Sequence, residues 1–407
     1  MAGPLVSIVI PVYNGGNYLR EAIDSALAQT YTNIEIVVVN DGSSDNGKTE
    51  EIALSYGNKI RYFHKENGGV ATALNFAIHV MQGDFFSWLS HDDMYHTNKI
   101  EHQIGALEKH GDMTAIIFSS YELLNANTNE ITTILHSDVF SEDQLTNSVF
   151  PVLQGLIHGC SLLVHKSHFE RVGVFDETLI TTQDYDLWFR MLRNQKTIYQ
   201  SESYVIARLH DNQGSRTLAC HDAEREELHI NFMNELTQNE IINMYRDEYT
   251  FYHRMSSFFK GAGMVDSYKY ALEKLLVANV PEDTGERLLE LQEYISKLSN
   301  GKAEKICIFC AGEYGLRLSE ELRSRLIKVD FFSDNDPIKW DFTFDNVPCV
   351  SPETLEFDKE NTLIIVANRA PVGIVNELRF KGFPNITTKQ QIDKFLFDVP
   401  PIIKINS

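Results

Sequence analysis

The alternation of strand-length apolar runs with helix-length amphipathic segments constrains this chain's fold most strongly. The runs "VSIVIPV" (6–12), "IEIVVVND" (34–41) and "DFFSWLS" (84–90) each have the length of a buried strand. Segments 17–30 and 70–83 carry apolar residues at helical spacing. Strands that alternate with helices predict an open, mainly parallel β-sheet.

The same alternation returns near the C-terminal end, so we expect more than one domain. The chain has 407 residues, which is more than a single core usually supports. We predict an α/β domain over 1–220, a helical connector over 221–300, and a smaller Rossmann-like α/β domain over 301–407. Residues 221–407 are also where we expect any homo-oligomer to form.

The charge balance excludes several classes of partner. The 36 basic and 57 acidic residues give a formal net charge of -21, which argues against nucleic-acid binding and against docking on anionic lipid. No apolar run reaches the roughly 18–20 residues of a membrane span, and no signal peptide is evident. Five scattered cysteines fit a reducing compartment. We expect a cytoplasmic protein with at most peripheral membrane association.

Polar residues follow each of the three N-terminal strands: "YNGG" (13–16), "NDGSSD" (40–45) and "SHDD" (90–93). Ligands of parallel sheets bind at this edge. Asp41 could accept a hydrogen bond from the ring N–H of a pyrimidine, or it could belong to an ordinary Asp-Gly-Ser turn. Asn67, Gly68 and Gly69 open the next helix, where free N–H groups favour an anion or need only a cap.

Asp92 and Asp93 place two like charges side by side, which a divalent cation or solvent must relieve. Asp184 and Asp186 stand at the start of an apolar helical pattern, where capping is the alternative to catalysis. His210 lies among polar residues and is a candidate third metal ligand, a phosphate contact or a structural residue.

The order of these segments resembles the family 2 glycosyltransferases, which have the GT-A fold. The matching stretches extend over about residues 5–217: "SIVIPVYNGGNYLREAIDSALAQTYTNIEIVVVNDGSSD", "NGGVATALN", "WLSHDD", "GVFDE", "QDYDLWFR" and "RLHDNQGS".

The resemblance implies a UDP-sugar donor and a divalent cation, Mn²⁺ or Mg²⁺. It assigns nucleotide or donor binding to a set of loop residues: Pro11, Val12, Tyr13, Asn14, Asp41, Ser43, Asn67, Gly68, Gly69 and Asp92. Asp93 is the implied direct metal ligand, with His210 as a second. The sequence departs from the family at Ser90, where the first acid of the metal motif usually stands.

The resemblance also implies that Asp184 is the catalytic base of an inverting transfer, although Gln183 replaces the acid that usually precedes it. The implied acceptor is the hydroxyl of a glycan on lipid or protein. Two alternatives stay open. One is a non-catalytic nucleotide-sugar-binding or scaffold protein. The other is a dinucleotide-dependent sugar-modifying enzyme acting through "CAGEYG" (310–315), which lacks an evident hydride-transfer partner.

Overall fold

The computed structural model describes residues 3–211, 213–368 and 371–401. The chain divides into two compact units. The first comprises Met1–Glu240 with Gly263–Ser267, and the second comprises Ile241–Ala262 with Tyr268–Ser407. Among the described residues, no helix combines the length and apolar character that a membrane crossing needs.

The first unit contains two β-sheets. Its strands in the described residues are β1 (Val6–Val12), β2 (Ile34–Asp41), β3 (Arg61–Lys65), β4 (Phe85–Trp88), β5 (Met94–Tyr95), β6 (Ile116–Asn125), β7 (Ile131–Ile134), β8 (Val164–His165) and β9 (Thr197–Leu209). One sheet has the order β3-β2-β1-β4-β8, and the other has the order β5-β9-β6-β7.

Ten helices accompany these strands in the described residues. They are α1 (Leu19–Leu27), α2 (Lys48–Leu54), α3 (Val70–Val80), α4 (Lys99–His110), α5 (Glu142–Asn147), α6 (Phe150–Leu153), α7 (Ser167–Val172), α8 (Gln183–Leu192), α9 (Gly214–Thr217) and α10 (His221–Glu235). The apolar positions that predicted the first helix, among them Leu19, Ile23 and Ala26, are buried as expected.

The central position of β1 explains where the site forms. It pairs in parallel with β2 on one side and with β4 on the other. The polar segments after these three strands therefore emerge at one edge of the sheet, as the sequence predicted. All seven residues of β1 are buried, which accounts for its nearly continuous apolar sequence.

Two strands of the first sheet, β3 and β8, were not predicted. β3 carries the sequence "RYFHK", pairs in parallel with β2 and lies at the edge of the sheet. None of its residues is fully buried, so its sequence lacks the apolar run that identified its neighbours. This strand supplies Lys65 to the site described below.

The second unit is a further α/β arrangement, with helices leading into a six-stranded sheet of order β12-β13-β11-β10-β14-β15. Its strands are β10 (Lys305–Phe309), β11 (Phe331–Ser333), β12 (Thr343–Phe344), β13 (Val347–Val350), β14 (Thr362–Val366) and β15 (Ile386–Thr388). The helices from residue 238 onward are α11 (Gln238–Tyr245), α12 (Glu248–Ala262), α13 (Val265–Val277), α14 (Thr284–Lys297), α15 (Glu313–Ser324), α16 (Pro352–Leu355), α17 (Val372–Phe380) and α18 (Lys389–Leu396).

The segment "CAGEYG" comprises the turn between β10 and α15 (310–312) and the first three residues of α15. A Cβ on Gly315 would lie 2.2 Å from the carbonyl oxygen of Cys310, so only glycine allows this close packing of helix and turn. Asp334, after β11, accepts a hydrogen bond from the N–H of Ala311 and pairs with Lys339. The residues of "CAGEYG" therefore have a structural role in the second unit that needs no ligand.

Candidate active site

The loops after β1 and β2 are joined by reciprocal hydrogen bonds. The N–H of Asn14 donates to Ser43 Oγ at 2.9 Å, and the N–H of Ser44 donates to Asn14 Oδ1 at 2.8 Å. Pro11 and Val12 are buried at the end of β1, whereas Tyr13 is 47% exposed. Tyr13 is thus the aromatic group of this loop that a ligand can reach.

Asp41 ends β2 and is held by three donors. Its Oδ1 accepts from Lys65 Nζ at 2.6 Å and from the N–H of Gly68 at 3.1 Å, and its Oδ2 accepts from the N–H of Gly69 at 2.8 Å. The Asn67 amide also donates to the Asp41 carbonyl. The N–H groups at the start of α3, which were predicted to favour an anion or to need only a cap, therefore already face a carboxylate of the protein itself.

Two glycines are required by close approach in these loops. Gly42 has φ +69, and a Cβ there would lie 2.6 Å from the backbone nitrogen of Asn67. A Cβ on Gly15 would lie 2.3 Å from Val12 Cγ2 and 3.1 Å from His91 Cδ2. These contacts bring all three polar loops to one place.

The two adjacent aspartates have different partners. Asp92 Oδ2 lies 3.0 Å from His210 Nε2, while Arg208 Nε donates to the Asp92 carbonyl. The N–H of Arg208 donates to Asp93 Oδ1 at 2.9 Å. The structure thus brings His210 to Asp92, and its predicted role as a metal ligand beside Asp93 stays a prediction.

Asp93 faces a thiol and an imidazole. Its Oδ2 lies 3.3 Å from Cys160 Sγ and 3.7 Å from His158 Nε2. Burial raises the pKa of Asp93 well above its usual range, and the charge of Asp92 raises it further. Burial also lowers the pKa of His158 to about 4, which keeps its imidazole neutral near pH 7. A cation bound here would offset the cost of ionising Asp93.

Asp184 shares a cavity with the neighbours of Asp93. The cavity has a volume of about 130 Å³. Its lining combines aromatic, polar and ionisable side chains: Trp88, Ser90, Tyr121, Ile157, His158, Gly159, Cys160, Asp184 and Tyr185. Asp184, the predicted base, and Ser90, which follows β4 in the predicted metal-binding segment, therefore line the same cavity.

Asp184 lies in the first turn of α8 and is partly buried. Burial raises its pKa to about 6, although backbone N–H groups of Asp184 and Tyr185 oppose the shift. A carboxyl group with this pKa is ionised at neutral pH and is a stronger base than an ordinary aspartate. Trp188 is fully buried and packs on Phe175, so it belongs to the core of the first unit.

Glu224, on α10, holds the segment that leads into α8. Its carboxylate accepts hydrogen bonds from the N–H groups of Ile180, Thr181 and Thr182 and from both threonine hydroxyls. The negative charge of Glu224 also contributes to the raised pKa of Asp184. Glu224 therefore fixes the start of the helix that carries the candidate base.

Sequence reasoning missed several of the residues that build this site: Lys65, His158, Cys160, Arg208 and Glu224. Cys160 and His158 lie in "HGCSLLVHKS" (158–167), which was predicted only to belong to the α/β domain over 1–220. The His-x-Cys spacing was a usable signal, whereas Lys65 and Glu224 carry none because lysine and glutamate are common on exposed surfaces.

Comparisons with known proteins give the class of this arrangement. The model of the family "Glycosyl transferase family 2" matches residues 7–172. An uncharacterized glycosyltransferase of Rickettsia typhi is 49% identical over 269 residues, which cover 66% of this chain and 84% of that protein. An uncharacterized glycosyltransferase of Rickettsia felis is 53% identical over 255 residues, which cover 63% of this chain and 42% of that protein.

Among solved structures, S. aureus TarS 1-349 in complex with UDP-GlcNAc shares the fold, with a TM-score of 0.50 and 17% identity. The match covers 78% of this chain and 85% of that one. The fold and the paired carboxylates at the end of β4 define a glycosyltransferase of the GT-A type. The chain belongs to glycosyltransferase family 2. It spans about two fifths of the length of the R. felis relative.

Proposed function

We propose that this protein transfers a sugar, with inversion, from a UDP-sugar to a hydroxyl group of a glycan acceptor. The observation that carries the proposal is the shared cavity, which places Asp184 in the same space as Ser90, His158 and Cys160 beside Asp93. A base for the acceptor and a cation-binding carboxylate are the two groups that such a transfer needs in one place.

The donor would bind across the ends of β1 and β2. The Asn14–Ser43 hydrogen bond fixes the two loops, and Tyr13 offers an exposed ring beside them. An ionised carboxylate has about four acceptor positions, so Asp41 retains capacity for a pyrimidine N–H beyond its bonds to Lys65, Gly68 and Gly69. The UDP-GlcNAc in the TarS structure supports a nucleotide-sugar donor for this fold.

The residues around Asp93 fit a divalent cation. Asp93 is the ligand that we assign to this cation, for which the family resemblance implies Mn²⁺ or Mg²⁺, and Asp92 with His210 stands next to it. A bound cation would neutralise negative charge on the diphosphate as it leaves. The buried carboxyl of Asp93, whose pKa burial and the charge of Asp92 raise, would be stabilised in its ionised form by such a partner.

Asp184 would take the acceptor proton. As the acceptor oxygen forms its bond to C1 of the sugar, the bond from C1 to the diphosphate breaks, and the acceptor proton moves to the Asp184 carboxylate. Trp88, Tyr121 and Tyr185 give the cavity aromatic faces of the kind on which sugar rings pack. The acceptor is therefore expected to be a sugar hydroxyl, on a lipid-linked or protein-linked glycan.

Donor turnover tests the proposal. The full chain is incubated with UDP-, GDP- and dTDP-sugars, with Mn²⁺ or with EDTA, together with simple glycan acceptors, and released nucleoside diphosphate is measured. We expect release from a UDP-sugar that EDTA abolishes and that Asp93→Ala and Asp184→Asn each lose. If UDP binds calorimetrically but no donor is consumed with any acceptor, the chain is a nucleotide-sugar-binding protein and the transferase proposal is wrong.

A further inference from the structure

The ligand atoms around Asp93 are not those of an all-carboxylate cation site. Asp93 offers a carboxylate oxygen, His158 an imidazole nitrogen and Cys160 a sulfur, and these three atoms all lie within 4.8 Å of one another. We propose that Asp93, His158 and Cys160 together bind a borderline divalent cation, of which Zn²⁺ and Co²⁺ are the representatives. The proposal deepens the proposed function, on which it rests for the use of Asp93 as a ligand.

The separations suit direct coordination. Bonds of 2.0–2.3 Å to zinc place tetrahedral ligand atoms about 3.3–3.8 Å apart. Asp93 Oδ2 lies 3.3 Å from Cys160 Sγ and 3.7 Å from His158 Nε2. Two of the three separations thus match a tetrahedral site and the third is at most 4.8 Å, so side-chain rotation would bring all three atoms to one ion, with the S–H proton released on binding.

The backbone that carries His158 and Cys160 is firmly supported. A Cβ on Gly159 would lie 2.7 Å from the ring of Trp88, so this position admits only glycine. Two buried side chains of α4 hold the next residues: Gln103 Nε2 donates to the Ser161 carbonyl at 2.8 Å, and Lys99 Nζ lies 3.3 Å from the Leu162 carbonyl. The ligand set is thus preorganised, which a metal site needs.

Charge balance also favours this set. Ser90 stands where the family resemblance leads one to expect an acid, and its Oγ lies 3.6 Å from Cys160 Sγ. A Cys160 thiolate would supply the negative charge that Ser90 lacks, so that Asp93 and Cys160 together neutralise a divalent ion. Thiolate and imidazole ligands select Zn²⁺ or Co²⁺ over Mg²⁺, which prefers oxygen.

The site would keep an open position. His158, Cys160 and Ser90 all line the cavity that Asp184 borders. Three protein ligands with a remaining position toward a cavity are typical of catalytic rather than structural zinc sites. The open position is where a donor oxygen could join.

Cobalt is the probe because a cobalt–thiolate bond gives an intense near-ultraviolet absorption. The full chain, freed of metal, is titrated with Co²⁺ alone. We expect this absorption in the wild-type protein, its loss in Cys160→Ser, and at least about tenfold weaker Co²⁺ binding in that variant. Cys220→Ser, at a partly buried cysteine outside the cavity lining, is the matched control and should keep the signal. Zn²⁺ should displace Co²⁺, and Mg²⁺ at the same concentration should not.

Two results would overturn the proposal: no thiolate absorption in the wild type at saturating Co²⁺, or an unchanged absorption in Cys160→Ser. If circular dichroism shows that Cys160→Ser does not fold, His158→Gln replaces it; the absorption should remain while Co²⁺ binding weakens about tenfold, and an unchanged affinity would refute the site. Donor turnover with Mg²⁺ but no cobalt–thiolate signal would refute this proposal alone, whereas the signal without turnover of any donor would refute the transferase proposal alone.

Discussion

Glu224 Oε1 accepts two hydrogen bonds from Thr182, one from its N–H and one from its hydroxyl, each at 2.8 Å. Thr182 immediately precedes α8, whose second residue is Asp184. These two hydrogen bonds therefore couple the position of Asp184, the candidate base, to that of α10. Glu224 acts as a positioning residue, since its carboxylate is occupied by the segment 180–182.

Glu224→Gln is expected to lower kcat about 10- to 100-fold with little change in KM for the donor, because a misplaced base slows the chemical step. The negative charge of Glu224 raises the pKa of Asp184, so its removal lowers that pKa. The acid limb of the kcat profile should consequently move to lower pH, which steady-state rates between pH 4 and pH 8 would show (a range of about two pH units either side of the Asp184 pKa of about 6).

The matched control for this change is Glu227→Gln, an exposed glutamate on the same helix. It should leave both kcat and the acid limb where they are in the wild type. If Glu224→Gln lowers kcat without moving the acid limb, the charge of Glu224 does not reach the base, and a purely structural role is the better account.

Asp184→Asn should abolish turnover and at the same time stabilise the fold at neutral pH. The folded-state pKa of about 6 lies above the ordinary aspartate value of 3.8, so the native state binds the proton more tightly than the unfolded chain. The contribution of Asp184 to stability is thus lost as pH rises through 6. A neutral amide removes this cost and should raise the free energy of unfolding at pH 7 by about 1–3 kcal/mol, as measured by urea denaturation.

The same comparison at pH 4 provides the check on this explanation, because Asp184 is then largely protonated in the folded state. The stability difference between the variant and the wild type should shrink there. An equal gain at both values of pH would point to packing rather than to the buried charge.

The N-terminal fold could be predicted because its strands are buried on both faces. β1, β2 and β4 read as apolar runs, and their order in the sheet follows from parallel pairing. β3 escaped prediction because it lies at the edge of the sheet and has no fully buried residue. Local pattern thus identified the strands with the most continuous apolar runs, and it missed β6, whose six buried residues include Ser119 and Ser120.

The residues of the candidate site also fall into those that the sequence predicted and those that it did not. Asp41, Asp93 and Asp184 were predicted because their motifs occur in the family's order, and the structure sets Asp184 and the neighbours of Asp93 around one cavity. The pairing of Asp93 with Cys160 spans 67 residues, and that of Glu224 with Thr182 spans 42. Contacts of this range depend on tertiary packing, which no local periodicity encodes.

Alanine substitutions at Gly42 and Gly47 would separate two free-energy costs: that of a steric clash and that of a left-handed backbone conformation. Gly42 and Gly47 both have positive φ, +69 and +81, but only Gly42 is crowded: a Cβ would meet the Asn67 nitrogen at 2.6 Å, while nothing lies within 4 Å of a Cβ on Gly47. Gly47→Ala should lower the free energy of unfolding by about 1 kcal/mol, because an alanine is strained in the left-handed conformation. Gly42→Ala should cost about 2–4 kcal/mol, because backbone must also move.

Since Asn67 precedes the glycines that hold Asp41, Gly42→Ala should also weaken UDP binding, whereas Gly47→Ala should not. Calorimetric titration with UDP measures this difference. Equal affinities in the two variants would show that the contact with Asn67 does not position the donor site.

Buried histidines should make the first unit sensitive to mild acid. Burial lowers the pKa of His136 to about 4 and that of His229 to about 4, below the ordinary histidine value of 6.5. The unfolded chain therefore binds more protons than the native state between these values, so stability falls as pH drops from 6.5 toward 4.

His136 is enclosed by Phe118, Tyr121 and Tyr199, and its Nε2 lies 2.8 Å from the Leu156 carbonyl. In His136→Gln, which cannot gain this proton, the loss of unfolding free energy between pH 6.5 and pH 4.5 should be about 2 kcal/mol smaller than in the wild type. Urea denaturation at a series of pH values measures it, and the exposed His64→Gln is the control that should follow the wild type. If His136→Gln loses as much unfolding free energy at low pH as the wild type does, His136 is not a source of acid lability. The predicted difference between the two proteins depends on a buried imidazole that stays neutral in the folded state.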